Sequence, residues 1–184
     1  FVADGSMIKN KRGAHFIEFS NTEKPLLEKI RMVLGSNHKI SSRVLKNKTW
    51  KQGYRLQIGS KKLFLDLLKL GMTPNKSKII KLTIMPNKYF SHSLRGYFDG
   101  DGCVNVCTYL RKDRKRLSTI INSGFTSGSK ILLLDIRSKL YKMKIISGGT
   151  LYYNRGYRLW FARNNSLKLY NFMYKNSGNL FIPR

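Results

Sequence analysis

Two Asp-Gly steps carry the chemistry this chain could do: Asp4-Gly5 and Asp101-Gly102. Carboxylates are hard oxygen ligands. They suit Mg²⁺, which binds through a few carboxylates, keeps several waters and matches phosphate substrates. Two carboxylates brought together raise one another's pKa, and a divalent cation relieves that repulsion. Asp-Gly is also an ordinary turn and means little alone. An EF-hand reading of Asp99-Gly-Asp101 fails, because the loop glycine and the closing Glu are misplaced.

The charge names the partner class. The 184 residues hold 36 Lys and Arg against 9 Asp and Glu, a formal net charge of +27. A chain so unbalanced repels itself until a polyanion neutralises it, and nucleic acid is the usual one. The chain is 41% hydrophobic and 12% aromatic, which argues for a packed core and against a disordered basic tail. A basic structural binder such as a ribosomal protein shares the charge, but it explains neither the repeat described below nor the paired Asp-Gly steps.

The two cysteines, Cys103 and Cys107, fall on one face of a strand, about 13 Å apart at ~3.3 Å per residue. A disulfide needs Cα atoms within about 7 Å. The thiols are therefore expected to be reduced and the compartment intracellular. Lys, Asn and Ile richness hints at an A+T-rich genome and hence an organelle; prokaryotic cytoplasm is the other option. His15, His38 and His92 are too scattered for a zinc site. No apolar run reaches the roughly 20 residues of a membrane span, and no signal peptide is visible.

The elements that must position the aspartates come in duplicate. Phe1-Val-Ala-Asp-Gly-Ser6 parallels Phe98-Asp-Gly-Asp-Gly-Cys103. Phe19-Ser-Asn-Thr-Glu-Lys-Pro-Leu-Leu27 parallels Phe125-Thr-Ser-Gly-Ser-Lys-Ile-Leu-Leu133. Gly53-Tyr-Arg-Leu56 recurs as Gly156-Tyr-Arg-Leu159. The matches keep their order, and their offsets differ only by loop-sized insertions.

In the first copy, Ser6–Lys9 and His15–Ser20 read as a hairpin around Lys11-Arg12-Gly13, and Glu23–Leu34 as a helix stopped by Gly35. Lys39–Lys46 and Tyr54–Ile58 form a second hairpin, and Ser60–Leu70 a second helix ended by Gly71. The second copy gives strands Cys103–Leu110 and Leu117–Phe125, helix Ser129–Met143, strands Thr150–Tyr153 and Tyr157–Ala162, and helix Ser166–Lys175. The expectation is an α+β fold of two pseudo-symmetric αββαββα halves, residues 1–72 and 91–184, each with a four-stranded antiparallel sheet. The segment 73–90 holds Pro74 and Pro86, which break helices. It is too apolar for a free linker and is expected to pack across the join.

Leu94-Arg-Gly-Tyr-Phe-Asp-Gly-Asp-Gly102 resembles the signature of the LAGLIDADG homing endonucleases at Leu94, Gly96, Asp99, Asp101 and Gly102. Phe1-Val-Ala-Asp-Gly-Ser6 matches only the end of that pattern; its earlier positions would lie upstream of Phe1, so a trimmed chain is expected. Physically, the motif suits a helix ending at its Asp-Gly. Gly96 and Gly100 share a face and let a second helix approach closely. Gly5 and Gly102 could take the left-handed cap conformation. The helix C-terminus is the negative end of the dipole and favours cations.

The resemblance implies a two-helix interface that brings Asp4 and Asp101 together around two or three divalent ions, with the backbone carbonyls of Ala3 and Gly100 as further ligands. It implies Mg²⁺, with Mn²⁺ substituting and Ca²⁺ binding without cleavage. The ions activate a water and stabilise the leaving 3′ oxygen, as in two-metal phosphodiester hydrolysis. Asn21 matches the position of a water-organising Gln, and Ser127 is its repeat partner. Lys76 resembles the family's basic residue near the scissile phosphate; the alternative is a solvated surface lysine. Its counterpart would fall near Arg184 or beyond.

Strands alternate faces, and a sheet with helices on one side leaves the other free for a partner. In the first half parity places Ile8, Asn10 and Arg12 on that free face, joined by Glu18, Arg43, Arg55 and Gln57. The hairpin tip adds Lys46, Lys48, Trp50 and Lys51. In the second half the face carries Asn105, Cys107, Tyr109 and Arg111, with Asn122, Tyr152, Asn154, Arg155 and Arg158. Lys112, Arg114, Lys115 and Arg116 form the basic turn of its long hairpin. A two-stranded ribbon fits the major groove, where Arg, Lys, Gln and Asn read base edges and tip lysines hold phosphates.

The expected function is site-specific double-strand cleavage of a non-palindromic target of about 20 bp, two turns of B-DNA at ~10 bp each, leaving 3′ overhangs. A monomer is expected, because the repeat supplies the twofold internally. The alternatives are an intron-encoded RNA maturase and a non-cleaving DNA-binding protein on the same fold; the retained acids count against both.

Overall fold

The structure is a computed structural model that describes residues 1–43, 49 and 51–175. Lys46, Lys48, Trp50 and Arg184, singled out above, lie outside the described residues. The described chain divides into two compact units, one over Phe1–Lys76 and one over residues 77–175.

The first unit runs β1 (Gly5–Lys9), β2 (His15–Asn21), α1 (Lys24–Val33), β3 (Ile40–Ser42), β4 (Tyr54–Gly59) and α2 (Lys61–Lys69). The sheet is antiparallel, in the order β1-β2-β4-β3. Local chemistry sets the boundaries. Gly13, at φ +83°, closes the β1–β2 turn, and the Asn10 side chain accepts from the N–H groups of Arg12 and Ala14. Pro25 opens α1, where a missing N–H costs nothing. The Ser60 hydroxyl caps α2 by accepting from Leu63 N–H at 3.2 Å. Gly35 and Gly71 stop the two helices at φ +57° and +86°. The inward face of the sheet places Met7, Ile17, Leu56 and Ile58 against Leu27 of α1 and Phe64 of α2.

The second unit begins with α3 (Phe90–Asp101) and continues β5 (Gly102–Arg111), β6 (Arg116–Ser127), α4 (Lys130–Lys142), β7 (Thr150–Tyr153), β8 (Tyr157–Phe161) and α5 (Arg163–Tyr174). Its sheet repeats the topology as β5-β6-β8-β7. Phe90, Leu94, Phe98, Phe125, Leu133, Ile136, Leu159, Phe161 and Leu169 form its core.

Several expectations change. The helix expected at Ser166–Lys175 begins at Arg163. Ser166 lies inside the helix with its hydroxyl buried: it donates to the Phe161 carbonyl and accepts from Ser123 Oγ, both at 2.9 Å. The strand expected over Lys39–Lys46 is described only at Ile40–Ser42. Within the second unit, the segment from Ser77 onward also contacts α4 and the residue before it. Ser129 Oγ donates to the Ile80 carbonyl at 2.7 Å, and the Asp135 carboxylate accepts from Leu82 N–H at 3.2 Å. The β5–β6 ribbon also outruns its helices. The reverse side of its outer half, with Val106, Leu110 and Leu117, is exposed rather than buried.

Candidate nucleic-acid interface and acidic sites

Each Asp-Gly step sits where a helical turn passes directly into the first strand of a sheet. In the first unit Gly5 N–H donates to the Phe1 carbonyl at 3.0 Å. In the second, Gly102 caps α3 and its N–H donates to the Phe98 carbonyl. The two turns are the same: an i to i−4 bond, a Phe at its start, and the Asp exposed just before the Gly.

The reason for glycine differs from the expected left-handed cap. Gly102 is extended, at φ −84° and ψ 162°, and Gly5 has no positive φ. What excludes a side chain is space. A Cβ at Gly5 would overlap the Phe1 ring, and one at Gly102 would overlap the Phe98 ring and carbonyl. Gly96 is exposed on α3, and a Cβ there would meet nothing within 4 Å.

The donor set at these turns is hard oxygen. Asp4 and Asp101 are exposed, Ala3 and Gly100 immediately precede them, and no three His, Cys, Asp or Glu side chains form a cage among the described residues. That fits a cation of the Mg²⁺ kind, which takes one or two carboxylates and completes its shell with water and phosphate oxygens. It does not fit a zinc cage.

Lys76 is buried, and its ammonium donates to the Gly5 carbonyl, one residue beyond Asp4. Its Nζ also lies 5.4 Å from the centre of the Phe1 ring. The geometry rules out the solvated lysine and places a cation beside the first acidic turn.

Asn21 and Ser127 are repeat partners in structure as well as in sequence. The Asn21 side-chain oxygen accepts from Glu23 N–H at 2.8 Å, and Ser127 Oγ accepts from Ser129 N–H at 3.0 Å. Each closes the strand-to-helix turn of its unit.

Two residues of the second motif were given no role from sequence: Tyr97, and Asp99, which was named only as a signature position. Tyr97 is buried; its hydroxyl donates to the Thr126 carbonyl at 2.6 Å. Burial pushes its pKa up to about 12; the charge of Asp101 adds to the rise and a hydrogen bond with Ser127 opposes it. Tyr97 is thus a protonated donor beside the acidic turn. Asp99, buried in α3, accepts from the hydroxyl of Tyr174 in α5 and pins the end of the motif helix. The signal was present for both, as a polar group on the inward face of an apolar helix, but their partners lie far along the chain.

The outer sheet faces follow the expected parity. In the first unit the register aligns Ser6 with Glu18 and Glu18 with Gln57, and it sets Arg55 against both Ser20 and Ser41. These share a face with Ile8, opposite the core. Arg43 reaches the same group of side chains through its contact with Glu18. Asn10 and Arg12 lie in the β1–β2 turn, where the Asn10 oxygen is already used, and Lys51 is exposed.

In the second unit Asn105 pairs with Asn122, Cys107 with Ile120 and Tyr109 with Ser118. Tyr152 pairs with Arg158 on the same face. Arg111 is tied to Asp113 at 2.9 Å, so it braces the turn that holds Lys112, Arg114, Lys115 and Arg116. Asn154 and Arg155 form the exposed β7–β8 turn, with Arg155 at φ +53°.

Comparisons with known proteins agree with this geometry. Residues 1–71 match the family model of a LAGLIDADG-like domain. The I-WcaI homing endonuclease bound to its DNA recognition sequence superposes with a TM-score of 0.65 at 19% identity, covering 99% of this chain and 78% of that one. The I-SmaMI LAGLIDADG homing endonuclease bound to cleaved DNA superposes with a TM-score of 0.59 at 13% identity, covering 94% and 80%. The DNA-directed RNA polymerase subunit Rpo1C of Methanocaldococcus jannaschii is 32% identical over 151 residues, 80% of this chain. The chain spans 15% of the length of that curated relative.

Proposed function

We propose that the chain is a LAGLIDADG protein and a site-specific double-strand DNA endonuclease, a reading supported by the LAGLIDADG-like domain matched over residues 1–71 and by the fold shared with homing endonucleases. One observation carries the reading. Both units present the same assembly: an exposed carboxylate at an Asp-Gly turn, opening directly into a four-stranded sheet whose outer face bears Arg, Gln or Asn side chains.

Asp4 with the Ala3 carbonyl, and Asp101 with the Gly100 carbonyl, would hold Mg²⁺, which would supply Lewis-acid polarisation and an activated water for phosphodiester hydrolysis. Lys76 adds positive charge at the first acidic turn, where it can balance a phosphate. The outer faces bind the duplex, with arginines and amides toward base edges and turn lysines toward phosphates. The two faces differ in sequence, so the target is non-palindromic. A target of about 20 bp, two turns of B-DNA, cut by a monomer to leave 3′ overhangs, completes the proposal.

The test is incubation of a randomised duplex DNA library with the protein and Mg²⁺. Cutting at one long site supports the reading. No cutting, together with tight binding to structured RNA, transfers it to an RNA maturase.

Binding should depend steeply on salt. A protein that neutralises six to ten phosphates loses about a thousandfold or more in affinity between ~50 and ~200 mM salt. With a net charge of +27, titration of fluorescent duplex DNA over that range is expected to show at least that loss. A change within about tenfold would contradict a phosphate-dominated interface.

Cys103 and Cys107 are exposed on the outer face of β5. Alkylation of both with a bulky maleimide is expected to lower DNA affinity at least about tenfold, on the scale of losing one base contact. Bound duplex should protect the thiols. Equal labelling rates with and without DNA would remove this strand from the interface.

A further inference from the structure

Glu18 contradicts the charge logic of its surroundings. It is one of only 9 acidic residues in a chain of net charge +27, and it lies in the central strand β2 on the face proposed to meet DNA. Its side chain is 10% exposed. A carboxylate so buried is costly unless it is paired and hydrogen-bonded.

Its partners account for it. One carboxylate oxygen accepts from Ser20 Oγ at 3.2 Å and from an Arg43 guanidinium nitrogen at 3.4 Å. The other accepts from Gln57 Nε2 at 3.4 Å and lies 3.8 Å from an Arg55 guanidinium nitrogen. An ionised carboxylate offers about four lone-pair sites, and four groups converge on it. That leaves little capacity for a base amino group. Arg43 and Arg55, by contrast, stay 55% and 42% exposed, so donors they do not spend on Glu18 remain available to a ligand.

The second unit lacks the device. The registers align Phe19 with Leu56 and Phe125 with Leu159. The same alignment puts Gly124 where Glu18 stands, Trp160 where Gln57 stands and Arg158 where Arg55 stands. No side chain fits at position 124, where a Cβ would lie 2.8 Å from the Leu159 carbonyl oxygen. Arg158, without that carboxylate, has its Nε buried with no partner among the described residues.

We infer that Glu18 is a positioning residue for sequence readout: it holds Arg43, Arg55 and Gln57 in fixed rotamers on the first sheet, and it acts only on the part of the target under that unit. This rests on the DNA-binding reading above. Long, flexible side chains lose rotamer freedom when they grip a base, and pre-ordering them removes that cost. A bidentate Arg or Gln contact then discriminates by geometry rather than by charge alone.

The test is equilibrium binding selection from a randomised duplex DNA library without Mg²⁺, comparing wild type, Glu18→Gln and Arg55→Gln. Glu18→Gln keeps the shape, and the arginines it releases are already half exposed, so the fold should survive; thermal unfolding checks this. Wild type is expected to prefer specific bases at least about tenfold at each contacted pair. Glu18→Gln should flatten one cluster of adjacent pairs to within about threefold, leave the rest of the site intact, and flatten the same cluster as Arg55→Gln.

Unchanged preference in Glu18→Gln overturns the inference. So does a switch to a different preferred base at a single pair, which would mark Glu18 as a direct contact. If Glu18→Gln fails to fold, Arg55→Gln and Gln57→Ala decide: flattening of separate, non-adjacent pairs overturns the inference, and flattening of one shared cluster supports it. A wild-type chain that selects no sequence sinks the DNA-binding reading itself.

Discussion

Asp101→Asn is expected to lower the single-turnover cleavage rate at least about a thousandfold while leaving DNA binding intact or slightly tighter. The substitution is isosteric. Asp101 is the last residue of α3 and exposed, so its replacement creates no cavity and buries no unpaired charge. On the proposed reading, what it removes is the negative charge that would hold a divalent cation beside the scissile phosphate. Removing that charge from a polyanion-binding surface does not weaken binding, because carboxylate and phosphate repel. The measurement is cleavage of a target recovered from the library, with the dissociation constant determined in parallel. A rate within about tenfold of wild type would show that the chemistry lies elsewhere. A parallel loss of binding would make Asp101 a structural residue.

Phe125→Ala is expected to destabilise the second unit by about 3–5 kcal/mol, the usual range for deleting a fully buried aromatic ring. Phe125 is 1% exposed. It stacks on Tyr97 with ring centres 5.8 Å apart, and its ring meets Phe98 at 5.3 Å and Phe161 at 6.2 Å. It therefore joins the motif helix to two strands of the sheet. It also pairs directly with Gly102, the residue after Asp101. A cavity there should loosen the turn that presents the carboxylate, so activity should fall at temperatures where the variant is still largely folded. Denaturant unfolding of wild type and variant measures the first effect. A loss under about 1 kcal/mol would mean that the core repacks around the gap and that this ring does not organise it. The repeat partner Phe19 is only half-buried and meets the Phe1 ring at 5.5 Å, so Phe19→Ala should cost less.

Much of this site was legible in the sequence because its signals are local. Strand alternation put Ile8, Glu18, Arg55 and Gln57 on one face, and Asn105, Cys107, Tyr109, Asn122 and Arg158 on the other unit's face; the register agrees in both. The placement of Asp101 at the end of an apolar helix needed only the motif; Lys76 was singled out only by its resemblance to the family's basic residue. Helix limits set by glycines at positive φ, Gly35 and Gly71, were read for the same reason: the conformation belongs to the residue itself.

The reversals have a common cause. Gly102 was assigned a left-handed cap because that is what glycine most often supplies after a helix, but here the Phe98 ring leaves no room for a Cβ. Ser166, expected as the first residue of the last helix, is a buried link between α5 and β6.

The sequence by itself determined the duplication, the α+β order of each unit, the two acidic turns and the faces on which basic and amide side chains stand. These follow from periods of two and near four residues and from charge, all of which are properties of short stretches. Tertiary structure alone decided which polar groups are already occupied and which remain for a ligand. Glu18 finds its partners 25 and 39 residues away, at Arg43 and Gln57, and Asp99 finds Tyr174 75 residues away. A hydrogen bond forms wherever the fold brings donor and acceptor within about 3 Å, and no spacing along the chain encodes that distance.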